Sequence, residues 1–187
     1  MMKNDLIYTF YKDKRTVFTF NEIAMLMDIS DHSKLKNRIN YYVKKNKIKN
    51  LRRGIYAKEA YSAEELACKI YKPSYISLDY VLQKEGLIFQ YNPGITGISY
   101  LSRTIKIEEK NITYRKLKNT ILIDTSGINL SDTGINIATP ERAFLDTLYF
   151  NQNYYFDSLI NLNKDVVFKL LPIYKSVTLN KRLENYF

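Results

Sequence analysis

The chain has 187 residues, of which 45% are hydrophobic and 26% are charged, and its formal net charge at pH 7 is +10. This composition allows one large domain or two small ones with a buried core, as expected of a soluble protein. No hydrophobic run approaches the length of a membrane span, and the N-terminus lacks the apolar core of a signal peptide. We therefore expect a cytoplasmic protein without a membrane partner.

The sequence contains one cysteine, Cys68, and one histidine, His32. A single cysteine excludes an internal disulfide framework, and one residue of each type cannot assemble a structural zinc site of the usual Cys/His kind. Cys68 lies in a helical run and is expected to be a small buried residue. His32 precedes a predicted helix, where a capping or solvent-facing role is expected. We predict no metal and no other cofactor.

The first predicted helix covers residues 4–13, in which the apolar side chains recur at helical spacing. Thr19 and Glu22 then have the spacing of a capping box, so a second, short helix is expected to begin near Phe20. A turn at residues 28–30 interrupts the pattern. The order of helix, turn and helix is typical of a DNA-binding helix-turn-helix.

The helix after this turn is predicted over residues 33–46 and is amphipathic. Its inward stripe consists of Leu35, Ile39, Tyr42 and Val43. The opposite face carries amide, hydroxyl and cationic groups, which can pair with base edges or phosphates. The predicted base contacts are Ser33, Lys34, Asn37 and Tyr41, and the wider outward face and its flanks add Arg38, Asn40, Lys44 and Lys45.

Two β-prone runs follow, residues 48–51 and 55–57, separated by Arg52-Arg53-Gly54. This pattern predicts a hairpin in which Gly54 adopts a positive φ. A hairpin beside a recognition helix is typical of a wing that touches the phosphate backbone or the minor groove. The alternative is that the winged helix binds protein and that the Arg-Arg pair is a solvated turn.

The positive charge is concentrated in this part of the chain. Residues 1–58 contain 14 Lys and Arg against 5 Asp and Glu, a balance of +9, whereas residues 59–187 contain 15 against 14. Such a distribution is expected if affinity comes from the neutralisation of phosphates and the release of counterions. We expect double-stranded DNA as the partner of the first region.

The domain boundary is predicted after Lys58, giving a winged helix-turn-helix domain over residues 1–58 and a second domain over residues 59–187. The second domain opens with a helix from Ser62, stopped by Lys72-Pro73, and continues with a helix over residues 77–85. Strands are predicted at 87–91, 95–100, 104–108, 111–117 and 120–124. The fold class is therefore predicted to be α+β, with a small antiparallel sheet and several helices.

A strongly apolar helix is predicted to begin after Thr139, which supplies an N-cap, with Pro140 at the first helical position and Glu141 at the positive end of the helix dipole. It is expected to form the centre of the second core. Arg142 and Asp146 are four residues apart and can pair on its remaining face. A structural ion pair is favoured over a functional role. Two further helices are predicted over residues 163–171 and 176–186.

Three segments in the order LRRGIYAK (51–58), SYISLDYVLQKEGLI (74–88) and IATPERAFLDTLY (137–149) resemble the AbiEi family of antitoxins of type IV toxin–antitoxin and abortive-infection systems. The resemblance spans about residues 15–150, and the last segment is the most specific. It implies a winged helix that represses its own operon by binding inverted repeats in the promoter. By position, the DNA-contacting region includes Lys34, Arg38, Arg52 and Arg53.

The resemblance also implies that the second domain counteracts a nucleotidyltransferase toxin without forming a stable complex with it. The segment containing Glu141, Arg142 and Asp146 is then a candidate for antitoxicity or for structural support. This chain is short at its C-terminus compared with longer members of the family. A stand-alone transcriptional regulator without antitoxicity is the alternative.

Individual residues suggest two further functional hypotheses. Glu108-Glu109-Lys110 contains the E-x-K of metal-dependent nucleases, and Asp79 or Asp124 is a possible additional carboxylate. A hairpin turn explains that segment better, so we do not predict an enzyme. The 17 tyrosines would suit a protein that stacks single-stranded nucleic acid, although core packing explains most of them better.

Overall fold

The computed structural model describes residues 5–187, which form an α+β fold with nine α-helices and two β-sheets. The chain divides into two units, one ending at Ile70 and one beginning at Tyr71. The boundary predicted after Lys58 is therefore moved to Ile70. No helix among the described residues is both long enough and apolar enough to cross a bilayer.

The first unit contains four helices and a three-stranded sheet among its described residues. In chain order the elements are α1 (Leu6–Lys12), β1 (Val17–Thr19), α2 (Phe20–Met27), α3 (His32–Lys44), β2 (Lys49–Arg52), β3 (Ile55–Ala57) and α4 (Ala63–Ile70). The three predicted helices before the hairpin and both predicted hairpin strands are confirmed, with their ends shifted by a few residues. Asn4, the predicted first residue of α1, lies outside the described residues.

Helix α4 belongs to the first unit because its Glu65 carboxylate binds the start of that unit's sheet and its Lys69 ammonium group binds α2. The Glu65 carboxylate accepts hydrogen bonds from the backbone N–H groups of Thr16 (2.7 Å) and Val17 (2.9 Å). Lys69 forms a largely buried ion pair with Glu22. Charged groups that are buried and paired in this way hold an element in place, since leaving either one unpaired is costly. The prediction of a boundary before α4 was wrong for this reason.

The starts of α2 and α3 are fixed by side-chain caps. Thr19 and Glu22 form the predicted capping box, in which the Thr19 side chain accepts from the Glu22 N–H and the Glu22 carboxylate accepts from the Thr19 N–H. Asp31 caps α3, accepting from the Ser33 and Lys34 N–H groups. His32 is the first residue of α3 and is exposed. It does not cap the helix, because Asp31 does.

The core of the first unit lies between the helices and one face of the sheet. On α3, Leu35 and Ile39 are fully buried and Tyr42 and Val43 are partly buried against the same core, as the amphipathic pattern predicts. The buried residues of this cluster are Leu6, Phe10, Phe18, Ile23, Ala24, Met27, Leu35, Ile39, Ile48 and Tyr56.

The sheet of the first unit is antiparallel in the order β1-β3-β2. Strand β1 was not predicted because its three residues show no alternation and no hairpin turn precedes them, whereas Arg52-Arg53-Gly54 marks the equally short β3. It pairs with β3 along its length, from Val17 opposite Ala57 to Thr19 opposite Ile55. The β2–β3 hairpin turns through Arg53 and Gly54, and Gly54 has the predicted positive φ, +77°.

The second unit contains a six-stranded sheet in the order β6-β7-β5-β4-β9-β8. Its strands are β4 (Ser74–Ile76), β5 (Ile95–Ser99), β6 (Arg103–Ile107), β7 (Lys110–Lys116), β8 (Ile128–Leu130) and β9 (Asn136–Ala138). Its helices are α5 (Asp79–Lys84), α6 (Asn119–Leu122), α7 (Pro140–Phe150), α8 (Lys164–Leu170) and α9 (Val177–Leu183), with a 3₁₀ turn at Leu171–Tyr174.

The prediction of a small antiparallel sheet was wrong, since the sheet is larger and mixed. Strand β5 pairs in parallel with β7, and β4 pairs in parallel with β9, while the remaining pairs are antiparallel. The β6–β7 hairpin places β7 beside β5 and β6 at the edge. Strands β5 and β7 are parallel neighbours because β6, which lies between them in the chain, pairs with β7 and not with β5.

Two predicted strands are absent from the described structure. Residues 87–91 continue from the end of α5, where the Leu87 N–H donates to the Leu82 carbonyl. Their backbone is hydrogen-bonded to the loop at Asp157 and not to another strand. The Asp157 N–H donates to the Leu87 carbonyl, and the Phe89 N–H donates to the Asp157 carboxylate. Residues 119–122, which overlap the predicted strand at 120–124, form α6.

Helix α7 is the centre of the second core, as predicted. Residues 141–148 are all buried, and Ala143, Phe144, Leu145 and Leu148 have no exposed surface. Thr139 caps the helix by accepting from the Arg142 N–H at 3.3 Å, and Pro140 occupies its first turn. The two predicted C-terminal helices are confirmed as α8 and α9. Cys68 is buried in α4 of the first unit, as expected.

Candidate nucleic-acid interface

The outward face of α3 carries the polar side chains that the sequence predicted for DNA contact. Ser33, Lys34, Asn37, Tyr41 and Lys44 are exposed, and Arg38 is half-buried. The opposite face is held in the core by Leu35 and Ile39. Because the apolar stripe is fixed, the polar stripe is fixed in orientation as well.

The first turn of α3 places a carboxylate beside one of these cations. Asp31 accepts hydrogen bonds from the Ser33 and Lys34 N–H groups, both at 3.1 Å, and its carboxylate lies 3.3 Å from Lys34 Nζ. The backbone and side-chain hydrogen bonds from Lys34 lower the pKa of Asp31. The Lys34 side chain is 82% exposed. Its ammonium group is thus paired with Asp31 at an exposed position.

Tyr41 lies one turn beyond Asn37 on the same exposed face. Its ring is 56% exposed and meets the Tyr42 ring edge-on, with 5.2 Å between the ring centroids. Tyr42 packs against the core of the first unit. This contact supports the Tyr41 ring while its hydroxyl remains available to a ligand.

The hairpin turn is attached to the start of α2. The Phe20 N–H donates to the Gly54 carbonyl at 2.9 Å. The pairing of β2 and β3 shifts between Asn50 and Arg52, which is a local irregularity next to the turn. Arg52 and Arg53 are both exposed at this tip. This anchor fixes the backbone of the two-residue turn that contains Arg53, and Arg52 precedes it as the last residue of β2.

An open groove of about 510 Å³ joins the start of α3 to the hairpin turn. It is lined by Phe20, His32, Ser33, Lys36, Arg53, Gly54 and Tyr56. The structure therefore brings Ser33 and Arg53 together at one site. Asn37, Tyr41 and Lys44 do not line this groove and lie further along α3.

Lys36 and His32 are groove residues that sequence reasoning did not select. Lys36 is exposed three residues after Ser33, which is the i, i+3 spacing that places both on one side of a helix. That spacing is a signal that could have identified it. The His32 ring meets the Phe20 ring edge-on with 5.4 Å between centroids, so it forms part of the groove wall.

Much of the acidic charge of the first unit is engaged within the unit. Up to Ile70 the chain has 15 Lys and Arg against 8 Asp and Glu, a balance of +7. Carboxylates that accept internal hydrogen bonds are those of Asp5, Asp13, Glu22, Asp31 and Glu65. Residues 32–53, which cover α3 and the strand and turn after it up to Arg53, contain 9 Lys and Arg and no Asp or Glu, so positive charge predominates on that segment.

The second set of predicted site residues, Glu141, Arg142 and Asp146, lies in the core of the second unit. Arg142 and Asp146 have no exposed surface, and Glu141 is 9% exposed. Arg142 Nε lies 3.6 Å from Asp146 Oδ1. The Glu141 carboxylate accepts a hydrogen bond from the Asn163 N–H at 3.2 Å, at the start of α8.

Asp146 is surrounded by hydroxyl donors from three other parts of the unit. Its carboxylate accepts from Tyr75 (3.0 Å), Ser77 (2.7 Å) and Tyr174 (2.6 Å). Burial raises the pKa of Asp146, whereas the Arg142 charge and these three hydroxyl groups act in the opposite direction. Burial also raises the pKa of the Tyr75 and Tyr174 hydroxyls, with the Asp146 charge adding to the effect.

Arg142 completes this network by binding backbone carbonyl groups. It donates to the Ser126 carbonyl at 3.0 Å and to the Ile121 carbonyl at 2.9 Å, and its third contact is the Tyr75 hydroxyl at 3.3 Å. The network therefore joins α7 to β4, to α6 and to the segment that follows α6. Because these groups are buried, they fix the fold of the unit and offer no surface to a macromolecular partner.

The carboxylates considered for a nuclease are engaged in separate local contacts. Asp79 accepts from the Tyr154 hydroxyl at 2.8 Å, and Asp124 accepts from the Ser126 N–H at 2.9 Å. Glu108 and Glu109 lie in the β6–β7 turn, as the hairpin interpretation predicts. Within residues 5–187, no three His, Cys, Asp or Glu side chains are grouped so that they could hold a metal ion.

Comparison with known proteins gives a similarity of fold. No protein-family model matches the chain, and no curated protein sequence matches it. The structure is similar to the crystal structure of the RV2827C protein from Mycobacterium tuberculosis, with a TM-score of 0.53. The two chains are 10% identical, and the match covers 95% of this chain and 73% of the other. At this identity the similarity concerns the fold alone.

Proposed function

We propose that the first unit is a winged helix that binds double-stranded DNA, with α3 in the major groove and the β2–β3 turn on the adjacent backbone. The observation that carries this proposal is the common groove of Ser33, Lys36 and Arg53, which joins the polar face of α3 to the hairpin tip. The order of three helices and a β1-β3-β2 sheet supports it. Helix α3 is 13 residues long, enough for its exposed face to meet several base pairs.

The polar side chains divide into two roles under this proposal. Asn37 and Ser33 supply hydrogen-bonding groups for base edges, and an Asn amide can bond adenine at two places. Lys34, Arg38, Lys44, Arg52 and Arg53 supply positive charge for phosphates, which sets affinity and position without reading sequence. Tyr41 can serve either role through its hydroxyl. Lys36 joins the phosphate-binding group because it faces the same groove as Arg53.

We further propose that the DNA target is an inverted repeat in the promoter of the protein's own operon, and that the chain is an antitoxin. This part depends on the resemblance of residues 51–58, 74–88 and 137–149 to the AbiEi family. The second unit would then counteract a nucleotidyltransferase toxin without a stable complex. The burial of Arg142 and Asp146 implies that any such activity uses other, exposed residues of this unit.

A two-part assay in cells tests the proposal. The promoter fragment upstream of the gene is placed before a reporter, and repression is compared for the full chain and for the chain with Arg52 and Arg53 both changed to alanine. Repression by the first and not by the second is expected. Growth is then measured when the chain is co-expressed with the neighbouring gene. Repression without protection from toxicity would favour a stand-alone regulator. Equal repression by the natural chain and by the Arg52/Arg53 variant would contradict DNA binding by the hairpin.

A further inference from the structure

The positive charge of the second unit is concentrated in one hairpin. Residues 71–187 contain 14 Lys and Arg against 11 Asp and Glu, a balance of +3. Residues 103–118 cover β6, β7 and the N-cap residue of α6, and they contain 6 Lys and Arg against 2 Asp and Glu. The rest of the unit has 8 against 9, a balance of −1. The whole excess therefore belongs to this segment.

Four of these cations lie at the open end of the hairpin, away from its turn. The Arg115 guanidinium rests on the Phe150 ring, 4.2 Å from its centroid, which leaves Arg103, Lys116 and Lys118. Arg103 begins β6 opposite Tyr114, and Lys116 ends β7 on the same side as Tyr114, two residues further along. The Lys116 N–H donates to Ser102 Oγ at 2.9 Å, which closes this end of the hairpin. Lys118 follows as the N-cap residue of α6. We call Arg103, Lys116 and Lys118 the hairpin-base cations.

The two acidic residues of the segment lie at the opposite end, in the turn. Glu109 lies 3.3 Å from Lys106 Nζ and neutralises that cation. Among residues 5–187, no carboxylate lies within 4.0 Å of the side-chain nitrogens of the hairpin-base cations. All three side chains are exposed. They therefore form a positively charged surface that is not neutralised within the protein.

The neighbouring exposed groups are suited to a phosphate backbone. Ser102, exposed beside Arg103, accepts from the Lys116 N–H and keeps its own O–H for a phosphate oxygen, whereas Thr104 Oγ1 is paired with Thr113 Oγ1 at 3.1 Å. The Tyr100 ring, 42% exposed, rests edge-on against Tyr71, with 6.1 Å between the ring centroids. Strand β6 is the edge of the sheet, so a long polymer can lie along it without a clash from a further strand.

We propose that the hairpin-base cations bind phosphates of duplex DNA, which gives the second unit a DNA contact of its own. This inference rests on the proposed function of the first unit. Arg103 can pair with two phosphate oxygens through its guanidinium group, whereas Lys116 and Lys118 act as point charges. Contacts of this kind add affinity for any duplex sequence and release counterions.

The test uses the full chain and measures duplex binding at several salt concentrations. The test variant changes Arg103, Lys116 and Lys118 to alanine. A control variant removes the same charge from the C-terminal part of the unit by changing the exposed Lys169 and Lys181 to alanine and the exposed Lys175, whose φ is +45°, to glycine, which adopts that conformation readily. A third variant changes Arg52 and Arg53 in the first unit. Circular dichroism and thermal unfolding verify that each variant is folded before binding is measured.

The hairpin-base variant is expected to lose affinity for promoter and random duplex by the same factor. The slope of log K against log salt concentration should fall in magnitude by up to about 2.7, since each lost phosphate contact removes about 0.9. The control variant should change both the affinity and the salt slope by less than the hairpin-base variant does. An equal loss in both variants, or an unchanged slope in the hairpin-base variant, would overturn the inference.

The same set of variants separates this inference from the proposed function. If the Arg52/Arg53 variant loses duplex binding while the hairpin-base variant behaves as the control does, the first unit binds DNA and the inference fails. If the Arg52/Arg53 variant keeps the affinity and salt slope of the natural chain, the proposed role of the first unit's hairpin fails instead.

Discussion

Arg142 and Asp146 face each other one turn apart on α7, with 3.6 Å between Arg142 Nε and Asp146 Oδ1 and neither side chain exposed. Their spacing identified the pair, but its surroundings explain its importance. Three hydroxyl groups bind the carboxylate, and two backbone carbonyl groups bind the guanidinium. The pair is thus the polar centre of the second unit.

Changing Asp146 to alanine should destabilise the second unit by about 3–5 kcal/mol, because Arg142 would be left buried without its counter-charge. Urea unfolding followed by circular dichroism measures the loss. Asp165→Ala is the control, since Asp165 is exposed in the first turn of α8. A loss for Asp146→Ala no larger than that of the control would contradict the structural role.

Changing Arg52 and Arg53 together to alanine should weaken binding to every duplex and lower the magnitude of the salt slope by about 2. The reason is that both arginines are exposed at the hairpin tip and are proposed to meet phosphate. Fluorescence anisotropy at a series of salt concentrations measures both quantities. If the affinity and the salt slope of the variant equalled those of the natural chain, the two arginines would not contact DNA and the hairpin tip would be a solvated turn.

Asn37→Ala should reduce discrimination between the promoter and random duplex by about 1–3 kcal/mol, because an amide on the face of α3 that is proposed to enter the DNA major groove can bond adenine at two places. Competition binding against the two DNAs measures the ratio. Asn129→Ala, an exposed position in β8, is the matched control. Equal loss of affinity for both DNAs would mean that Asn37 does not read bases.

The stability of the first unit should depend on the ionisation of Asp13. Hydrogen bonds from the Arg15 side chain, at 3.0 and 2.6 Å, are the largest cause of a lowered pKa at this carboxyl, whose usual value is 3.8. A lowered pKa means that the folded state binds the proton less tightly than the unfolded state. The contribution is therefore present above pH 3.8 and is lost as pH falls through the folded-state pKa.

The variant Asp13→Asn tests this dependence. At neutral pH it should be less stable than the natural chain, and the difference between the two should shrink as the pH is lowered through and below 3.8. Urea unfolding at pH 7, 5, 4 and 3 measures it. A difference that stayed constant over this range would show that the Asp13 charge does not contribute.

Local signals in the sequence predicted the first unit well. The Thr19/Glu22 capping box and the Gly54 turn each depend on residues within a few positions of one another, and both are present. The carboxylate of Glu65, in contrast, binds N–H groups 48 and 49 residues away in sequence. No local pattern reports such a contact, so α4 was assigned to the wrong domain.

The second unit was harder to predict because its sheet depends on distant pairs. Ile76 in β4 pairs with Ile137 in β9, and each of these strands has only three residues. Strands of that length show no recognisable alternation, and neither is joined to a neighbouring strand by a two-residue Gly turn like the one that marks β3. The segment at residues 87–91 resembles a strand in composition, but its backbone is bound by the end of α5 and by the loop at Asp157.

For the candidate site, the exposed face of α3 followed from periodicity, because fixing the buried stripe at Leu35 and Ile39 fixes the opposite face. The groove that joins Ser33, Lys36 and Arg53 did not follow, since it depends on how the hairpin packs beside α3. Sequence spacing placed Arg142 and Asp146 on one side of α7 but could not supply Tyr75, Ser77 and Tyr174, which come from other elements.

Binding of the full chain to its own upstream promoter fragment, titrated with salt and competed with random duplex and with single strands, tests the central claim most directly. Duplex DNA binding through the first unit predicts tight, duplex-selective association that weakens steeply as salt is added. It also predicts preference for the promoter over random duplex. Weak binding that is equal for all three nucleic acids would contradict the claim.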